Sequence, residues 1–174
     1  MKLKHERGDI VFAPGKALEL EFDMPFDCIV ATEIIEHVAH PDEFLKQLSS
    51  LVAPGGYVVL TTPNGAYFRN DLPRFSDCLD PSVFESVQFK PNADGHIFLL
   101  WPDEIRRMVE QSGFRLERFD VFTTPLTNGH VKLEFLLWVL PRRAVFAIEG
   151  LAARLPDAIR HRLMVQTSAR FRRA

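Results

Sequence analysis

The segment TEIIEHVAHP, residues 32–41, concentrates two carboxylates and two imidazoles just after a run of apolar residues. Within it Glu33, Glu36 and His37 stand at positions i, i+3 and i+4, so they share one face if the segment is helical. Carboxylate oxygens suit hard cations such as magnesium, and an imidazole extends the choice to manganese, iron or zinc. The spacing leaves two interpretations open: one side of a metal or catalytic site, or the polar first turn of a helix.

Two apolar runs around a helical pattern predict the frame that positions these side chains. FDCIVAT (26–32) is continuously apolar, which is typical of a parallel strand buried on both faces, and YVVLTT (57–62) follows the same pattern. Between them, apolar residues at three-to-four spacing predict a helix over about residues 41–52, ended by APGG. Such a unit is right-handed with parallel strands. Glu33 and Asn64 then follow the carboxyl ends of two strands, where open sheets bind their ligands.

The rest of the chain divides into a loop, further regular elements and a basic end. Residues 65–95 lack periodicity and are predicted to form a flap, a kind of loop that tends to be functional in compact domains. PDEIRRMVEQSG (102–113) predicts a helix, and FRLERFDVF (114–122) predicts a strand. VKLEFLLWVL (131–140) predicts a second strand, antiparallel to the one before it.

The composition is that of an ordinary globular domain, with 174 residues, 47% hydrophobic and 25% charged. The net charge of −2 conceals an asymmetry, because residues 141–174 hold eight arginines against two acids. We therefore divide the chain into a domain over residues 1–140 and a basic, amphipathic helical tail over residues 141–174. Such a tail favours an acidic partner, nucleic acid or anionic lipid, or is a solvated helix surface. Cys28 lies in an apolar run, where we expect a buried, reduced thiol and a cytoplasmic compartment.

The stretch FDCIVATEIIEHVAHPDEFLKQLSSLVAPGGYVVLTTPN resembles the second half of class I S-adenosylmethionine-dependent methyltransferases, in the branch where E-x-x-E-H follows the fourth strand. GHIFLLWPDEIRRMVEQSGF is similar to the same family's histidine, helix and strand opening. The resemblance implies a Rossmann-like α/β fold and methyl transfer, most simply to a substrate oxygen. It also implies a metal site like that of ubiquinone-pathway O-methyltransferases and of enzymes that methylate the 2′-hydroxyl at the end of small RNAs. Its ligands would be Glu33, Glu36, His37 and His96.

The same resemblance implies the other site residues. His37 would be the general base if no metal is bound, with Glu33 beside it, because an imidazole exchanges protons near neutral pH. The positions matching the family's S-adenosylmethionine contacts are Lys16, Ala17, Thr32 and Glu33. Asn64 and Tyr67 match the acceptor side. A small-molecule or lipid-linked hydroxyl compound is the favoured acceptor, and an RNA end is the less favoured one.

Part of the family's pattern for binding the methyl donor is missing. No G-x-G occurs in the 174 residues, and the match leaves 25 residues upstream of FDCIVATE, where two strand–helix units need about sixty. Lys16 stands where the family has an acid that accepts the adenine amino group, and a lysine offers no acceptor. We therefore expect a partial sheet equivalent to family strands 3-4-5-7-6, without the first two strand–helix units and with extra carboxyl-terminal helices. Such a chain would bind S-adenosylmethionine weakly or not at all.

Three hypotheses follow from these observations. The chain is the carboxyl-terminal part of an O-methyltransferase, truncated or split from its first half, or it is a non-catalytic methyltransferase-like module for binding or dimerisation. The bared edge of the strand at 27–32 favours a homo-oligomer, since an unpaired apolar edge pairs with another chain. Otherwise residues 9–13 pair with that strand or lie loosely. A third hypothesis places the protein on a membrane surface through VFAIEGLAARL (145–155) and the arginine-rich tail.

Overall fold

The computed structural model describes residues 2–5, 8–11, 22–88, 95–128 and 134–174. Its strands are β1 (Lys2–His5), β2 (Gly8–Val11), β3 (Phe26–Thr32), β4 (Val52–Pro63), β5 (Phe114–Phe122) and β6 (Gln166–Arg173). Its helices are α1 (Pro41–Leu51), α2 (Pro102–Gln111), α3 (Pro125–Asn128), α4 (Glu134–Val139), α5 (Arg142–Ala152) and α6 (Asp157–Leu163). None of the helices in the described part of the chain combines the length and the hydropathy required to span a bilayer.

Four strands form the main sheet, in the spatial order β3-β4-β6-β5. β3 and β4 are parallel, whereas β6 runs antiparallel to both of its neighbours. This order corresponds to family strands 4-5-7-6, so the expected partial Rossmann-like sheet is confirmed. α1, α2, β4 and β5 form close to where the sequence predicts them, and α1 and α2 pack their buried leucine, isoleucine and valine side chains into the core.

The third strand of the sheet comes from a segment that was predicted to be helical. β6 lies at the end of the 141–174 tail, which is therefore only partly helical and completes the sheet of the domain before it. Conversely, the strand predicted over residues 131–140 is wrong, because its described part forms α4. A short apolar run does not distinguish a strand from a helix. The alternating burial of Thr167, Ala169 and Phe171 is the strand signal in the arginine-rich end.

β3 is an edge strand within the described part of the chain. Val30 is 63% exposed and Cys28 is also exposed, so the predictions of a strand buried on both faces and of a buried thiol are wrong. β2 pairs with β1 rather than with β3, so the expected pairing of residues 9–13 with this strand is not seen for the described residues 9–11. Without a described neighbour on its outer side, β3 keeps one face and one edge in solvent.

The flap predicted over residues 65–95 contains two 3-10 turns in its described part, Phe75–Asp77 and Pro81–Val87. The rings of Phe75 and Phe84 pack edge-on against Phe98, with centroid distances of 5.3 and 5.2 Å. The flap is thereby anchored to the core by its own aromatic side chains.

Candidate functional site

The chain turns sharply at the carboxyl end of β3. Glu33 has a φ of 52°, in the left-handed region, and its backbone N–H donates to the Thr61 carbonyl over 3.0 Å. That conformation costs a residue other than glycine about 1–2 kcal/mol. A 3-10 turn follows at Ile35–His37. Because Glu33 lies outside this turn, the predicted single helical face shared by Glu33, Glu36 and His37 is wrong.

Two successive threonines at the end of β4 hold the two glutamates apart. Thr61 Oγ1 donates to Glu33 Oε1 over 3.1 Å, and Thr62 Oγ1 donates to Glu36 Oε2 over 3.0 Å. Successive strand residues point to opposite faces of a sheet, so Glu36 is directed to the buried side with Thr62, and Glu33 stays exposed, where the Gln166 amide also donates to it. Sequence reasoning missed both threonines, although the paired polar residues at the strand end were a usable signal.

His96 reaches the site through main-chain contacts. The backbone N–H of Ile97 donates to the Glu36 carbonyl over 2.7 Å, and that of Gly65 donates to the Leu100 carbonyl over 3.1 Å. A Cβ at Gly65 would lie only 2.0 Å from the Leu99 carbonyl oxygen, so glycine is required for this approach of two backbones. The result is that the imidazoles of His37 and His96 lie with their ring centroids 4.9 Å apart.

Glu36, His37 and His96 form one group of ligand atoms, all within 4.8 Å of one another. Glu36 is completely buried, and its Oε1 has no hydrogen-bond partner among the described residues; His37 Nε2 lies 3.9 Å from it. Burial raises the pKa of Glu36, and the Glu33 carboxylate adds to the rise, while hydrogen bonds from its backbone and from Thr62 oppose it. A buried oxygen without a donor is destabilising by about 1–3 kcal/mol. A bound cation would satisfy that oxygen.

Three of the four predicted metal ligands are therefore brought together, and Glu33 is not among them. The three that meet supply one carboxylate oxygen and two imidazole nitrogens, a donor set that suits manganese, iron or zinc better than magnesium. The residues present thus fit a divalent cation.

A cavity of about 380 Å³ opens beside this group, and His96 lines it. Asn64 and Tyr67, predicted to face the acceptor, line it too, together with Arg69 and Asn70. Asn64 is buried, and its side-chain N–H groups donate to the carbonyls of His161 and Met164 over 2.6 and 2.8 Å. These bonds tie the end of β4 to the segment that leads into β6, so Asn64 has a structural role whether or not it contacts an acceptor. Burial raises the pKa of Tyr67.

Two of the four residues predicted to contact the methyl donor lie within the described part of the chain. Thr32 and Glu33 are exposed at the carboxyl end of β3, where a ligand can reach them. Lys16 and Ala17 lie outside the described residues. Their roles stay predictions.

Comparison with known proteins agrees with the fold. A family model described as a methyltransferase domain matches residues 4–118. The ubiquinone biosynthesis O-methyltransferase of Caulobacter sp. (strain K31) is 41% identical over 58 residues, which are 32% of this chain and 23% of that protein. The Chromobacterium violaceum protein of the same name is 31% identical over 113 residues, or 57% of this chain and 41% of that protein. The crystal structure of an S-adenosylmethionine dependent methyltransferase from Mesorhizobium loti matches with a TM-score of 0.51 at 14% identity, over 91% of this chain and 68% of that one.

The sheet order defines a Rossmann-like fold of the kind found in S-adenosylmethionine-dependent methyltransferases. The chain belongs to the methyltransferase domain family, so the resemblance stated from its motifs is confirmed. It spans less than half the length of the curated relatives named above.

Proposed function

We propose that this chain carries the acceptor side of an S-adenosylmethionine-dependent O-methyltransferase, with a divalent cation held by Glu36, His37 and His96. The observation that carries the proposal is the buried Oε1 of Glu36, which has no hydrogen-bond partner among the described residues and lies within a three-ligand group beside a cavity. Membership of the methyltransferase domain family supports it, as does the O-methyltransferase activity in the names of the similar proteins.

The three ligands have separate tasks. Glu36 contributes the negative charge from the buried side, and Thr62 fixes its carboxylate by occupying the other oxygen. His37 and His96 approach from the 3-10 turn and from the far end of the flap, so the group closes only when both segments are packed. A bound cation would lower the pKa of an acceptor hydroxyl and so make it a better nucleophile. Without a cation, His37 takes that proton as general base.

The cavity limits the acceptor to a compact group. A volume of about 380 Å³ accommodates a small ring with its substituents, since ligand pockets in proteins start at about 300 Å³. Arg69 brings a positive charge to the cavity wall and Tyr67 an aromatic surface. A hydroxylated ring, free or at the end of a lipid chain, fits this lining better than an RNA end, which carries several phosphates and finds only one arginine there.

Manganese binding tests the metal group directly. We expect one Mn²⁺ per chain by titration calorimetry and electron paramagnetic resonance, with affinity reduced tenfold or more in Glu36→Gln and in His96→Ala, since each removes a ligand. His40→Ala is the matched control: His40 is a neighbouring histidine bonded to Glu85 over 2.9 Å and outside the group. Equal affinity in wild type and the two ligand variants would sink the metal assignment.

We expect weak binding of S-adenosylmethionine by these 174 residues, because they contain no G-x-G and Lys16 offers no acceptor for the adenine amino group. Stoichiometric, micromolar binding by calorimetry would contradict this.

Methyl transfer is measured separately, with radiolabelled S-adenosylmethionine at millimolar concentration, Mn²⁺ and catechol as a phenolic probe. Slow incorporation that is lost in His96→Ala is expected, and incorporation that survives in this variant would contradict the assigned site.

The alternative function is a non-catalytic methyltransferase-like module that dimerises. The observation in its favour is the exposed edge of β3, where Phe26 and Val30 are 37% and 63% exposed, because such an edge offers unpaired backbone groups and apolar side chains to a second chain. Absence of methyl incorporation at every donor concentration, together with a dimer by light scattering that dissociates in Val30→Lys, would favour this function over the first.

A further inference from the structure

Two consecutive helices direct apolar side chains into solvent. On α4, Phe135, Trp138 and Val139 are 62%, 90% and 78% exposed. On α5, Phe146 and Leu151 are 73% and 65% exposed. This is far more than the single surface leucine or valine that any soluble domain shows. The two helices, joined by Leu140 and Pro141 and ending at Ala152, are called the α4–α5 surface below.

The amphipathic character of α5 is inverted. Its one acid, Glu149, points inward and accepts hydrogen bonds from the Thr124 and Thr127 hydroxyls over 2.7 and 2.6 Å. Ala152 packs in a small buried cluster with Val121 and Met164. A surface helix of a globular protein normally buries its apolar stripe and exposes its charges. In α5 large apolar side chains face outward, so this face is built for contact with an apolar phase.

Basic residues flank the apolar side chains. Arg142 and Arg143 begin α5 and Arg154 follows its end; all three are exposed, and none forms an ion pair within the described residues. Two arginines at a helix amino terminus are opposed by the helix dipole, so helix stability does not explain them.

Three of the five remaining arginines of the basic end form ion pairs within the described residues. Arg170 and Arg172 share Glu117 at 3.0 and 2.6 Å on the sheet, and Arg160 pairs with Asp157 at 2.9 Å. The positive charge of residues 141–174 is thus partly offset on the sheet and on α6, whereas the three arginines beside α5 have no acid next to them in the described part of the chain. An apolar face with free arginines at its border is complementary to an anionic lipid surface, where aromatic and aliphatic side chains enter the headgroup region and arginines meet phosphates.

We propose that the α4–α5 surface docks on anionic membranes, lying in the plane of the interface. A second copy of the chain is a poorer occupant, because a two-fold contact through the same patch sets arginine against arginine. The proposal stands on the exposed helices alone and is independent of the metal group and of methyl transfer.

Vesicle flotation with the full chain tests the proposal. We expect binding to vesicles of 70% phosphatidylcholine and 30% phosphatidylglycerol, little binding to phosphatidylcholine alone, and a blue shift of tryptophan emission that is lost in Trp138→Phe. Phe146→Glu with Leu151→Glu should abolish binding by placing charge in the inserted face. Arg142→Gln with Arg143→Gln should weaken it roughly tenfold or more and remove most of its salt dependence.

Leu79→Glu is the control, since Leu79 is a fully exposed apolar residue of the flap, away from both helices in sequence. Circular dichroism checks that the charged variants remain folded, as expected for substitutions of exposed side chains. Absence of vesicle binding at low salt would overturn the proposal. Binding that Phe146→Glu with Leu151→Glu leaves intact would do the same, as would a dimer in solution that this double variant dissociates.

Discussion

Two glutamates are equally buried in this protein but differ in how their oxygens are satisfied. Glu104 is 2% exposed, and its carboxylate accepts from the backbone N–H groups of Ser76 and Trp101, both over 2.8 Å. The Arg74 guanidinium lies 3.7 Å from the same carboxylate and stacks on the Trp101 ring at 4.5 Å. Glu36 is 0% exposed; Thr62 donates to its Oε2, whereas its Oε1 has no hydrogen-bond partner among the described residues.

The difference is the one expected between a structural acid and the metal ligand that we propose for Glu36. Glu104 caps the start of α2 and ties the turn at Phe75–Asp77 to it, so each of its two oxygens has a donor within the fold. Glu36 keeps an oxygen with no donor in the direction of His37 and His96. Folded proteins satisfy nearly all buried polar atoms. We attribute the oxygen that is left unsatisfied beside two histidines to the ligand proposed above.

Replacing each glutamate with glutamine should give the largest difference between the two sites, measured as the change in the free energy of unfolding. Glu104→Gln keeps one acceptor oxygen but sets its NH2 group against one of the two backbone donors, and we expect the free energy of unfolding to fall by about 2–3 kcal/mol. Glu36→Gln removes a buried charge that lacks a full set of partners, so at neutral pH we expect a change of less than about 1 kcal/mol in either direction. Urea denaturation in the presence of a chelator measures both.

Glu110→Gln on the exposed side of α2 controls for the loss of a negative charge and should stay within about 0.5 kcal/mol of wild type. Equal losses in the Glu36 and Glu104 variants would mean that both acids are structural.

The second-largest expected effect is a change in how the stability of the protein depends on pH when Glu36 is replaced. Burial raises the pKa of Glu36 above its ordinary value of 4.5, so between pH 4.5 and the raised folded-state pKa the folded protein keeps a proton that the unfolded chain has released. Its contribution to stability is therefore complete below pH 4.5 and is lost as the pH rises through the folded-state pKa. We expect the stability of Glu36→Gln relative to wild type to increase from pH 4.5 upwards and then to level off. A difference that stays flat from pH 4 to 8 would show that Glu36 is not held protonated by burial.

The sequence predicts those elements of this fold whose signals are local. α1 and α2 begin with proline and repeat apolar residues at helical spacing, and both were located correctly. Local signals failed in two places: a strand was predicted where α4 forms, and a helical tail was predicted where β6 forms. VKLEFLLWVL is apolar enough for either structure, and QTSARFRR carries three arginines, which contact Glu117 and backbone carbonyls of distant segments. Long-range pairing, not local propensity, selects the strand.

The candidate site also combines features that the sequence motif predicts with a feature that depends on contacts with distant residues. Glu36, His37 and His96 were predicted from the motif and its resemblance, and the structure brings them together. The separation of Glu33 was not visible, because it depends on a left-handed φ and on which threonine each acid meets. Counting residues along an assumed helix does not contain that information.

Replacing either threonine with valine tests the separation of Glu33 from Glu36, and these substitutions have the smallest expected effects. Thr62→Val keeps the shape of the side chain but removes the donor to Glu36; we expect about 1 kcal/mol lower stability, a further rise in the pKa of Glu36, and about tenfold weaker Mn²⁺ binding. Thr61→Val removes the corresponding donor to Glu33 on the exposed face, where water replaces it, so stability and Mn²⁺ affinity should stay close to wild type. Urea denaturation and calorimetry with Mn²⁺ compare the pair. If Thr61→Val weakens Mn²⁺ binding as much as Thr62→Val does, Glu33 belongs to the metal group after all, and the two faces of the sheet act as one site.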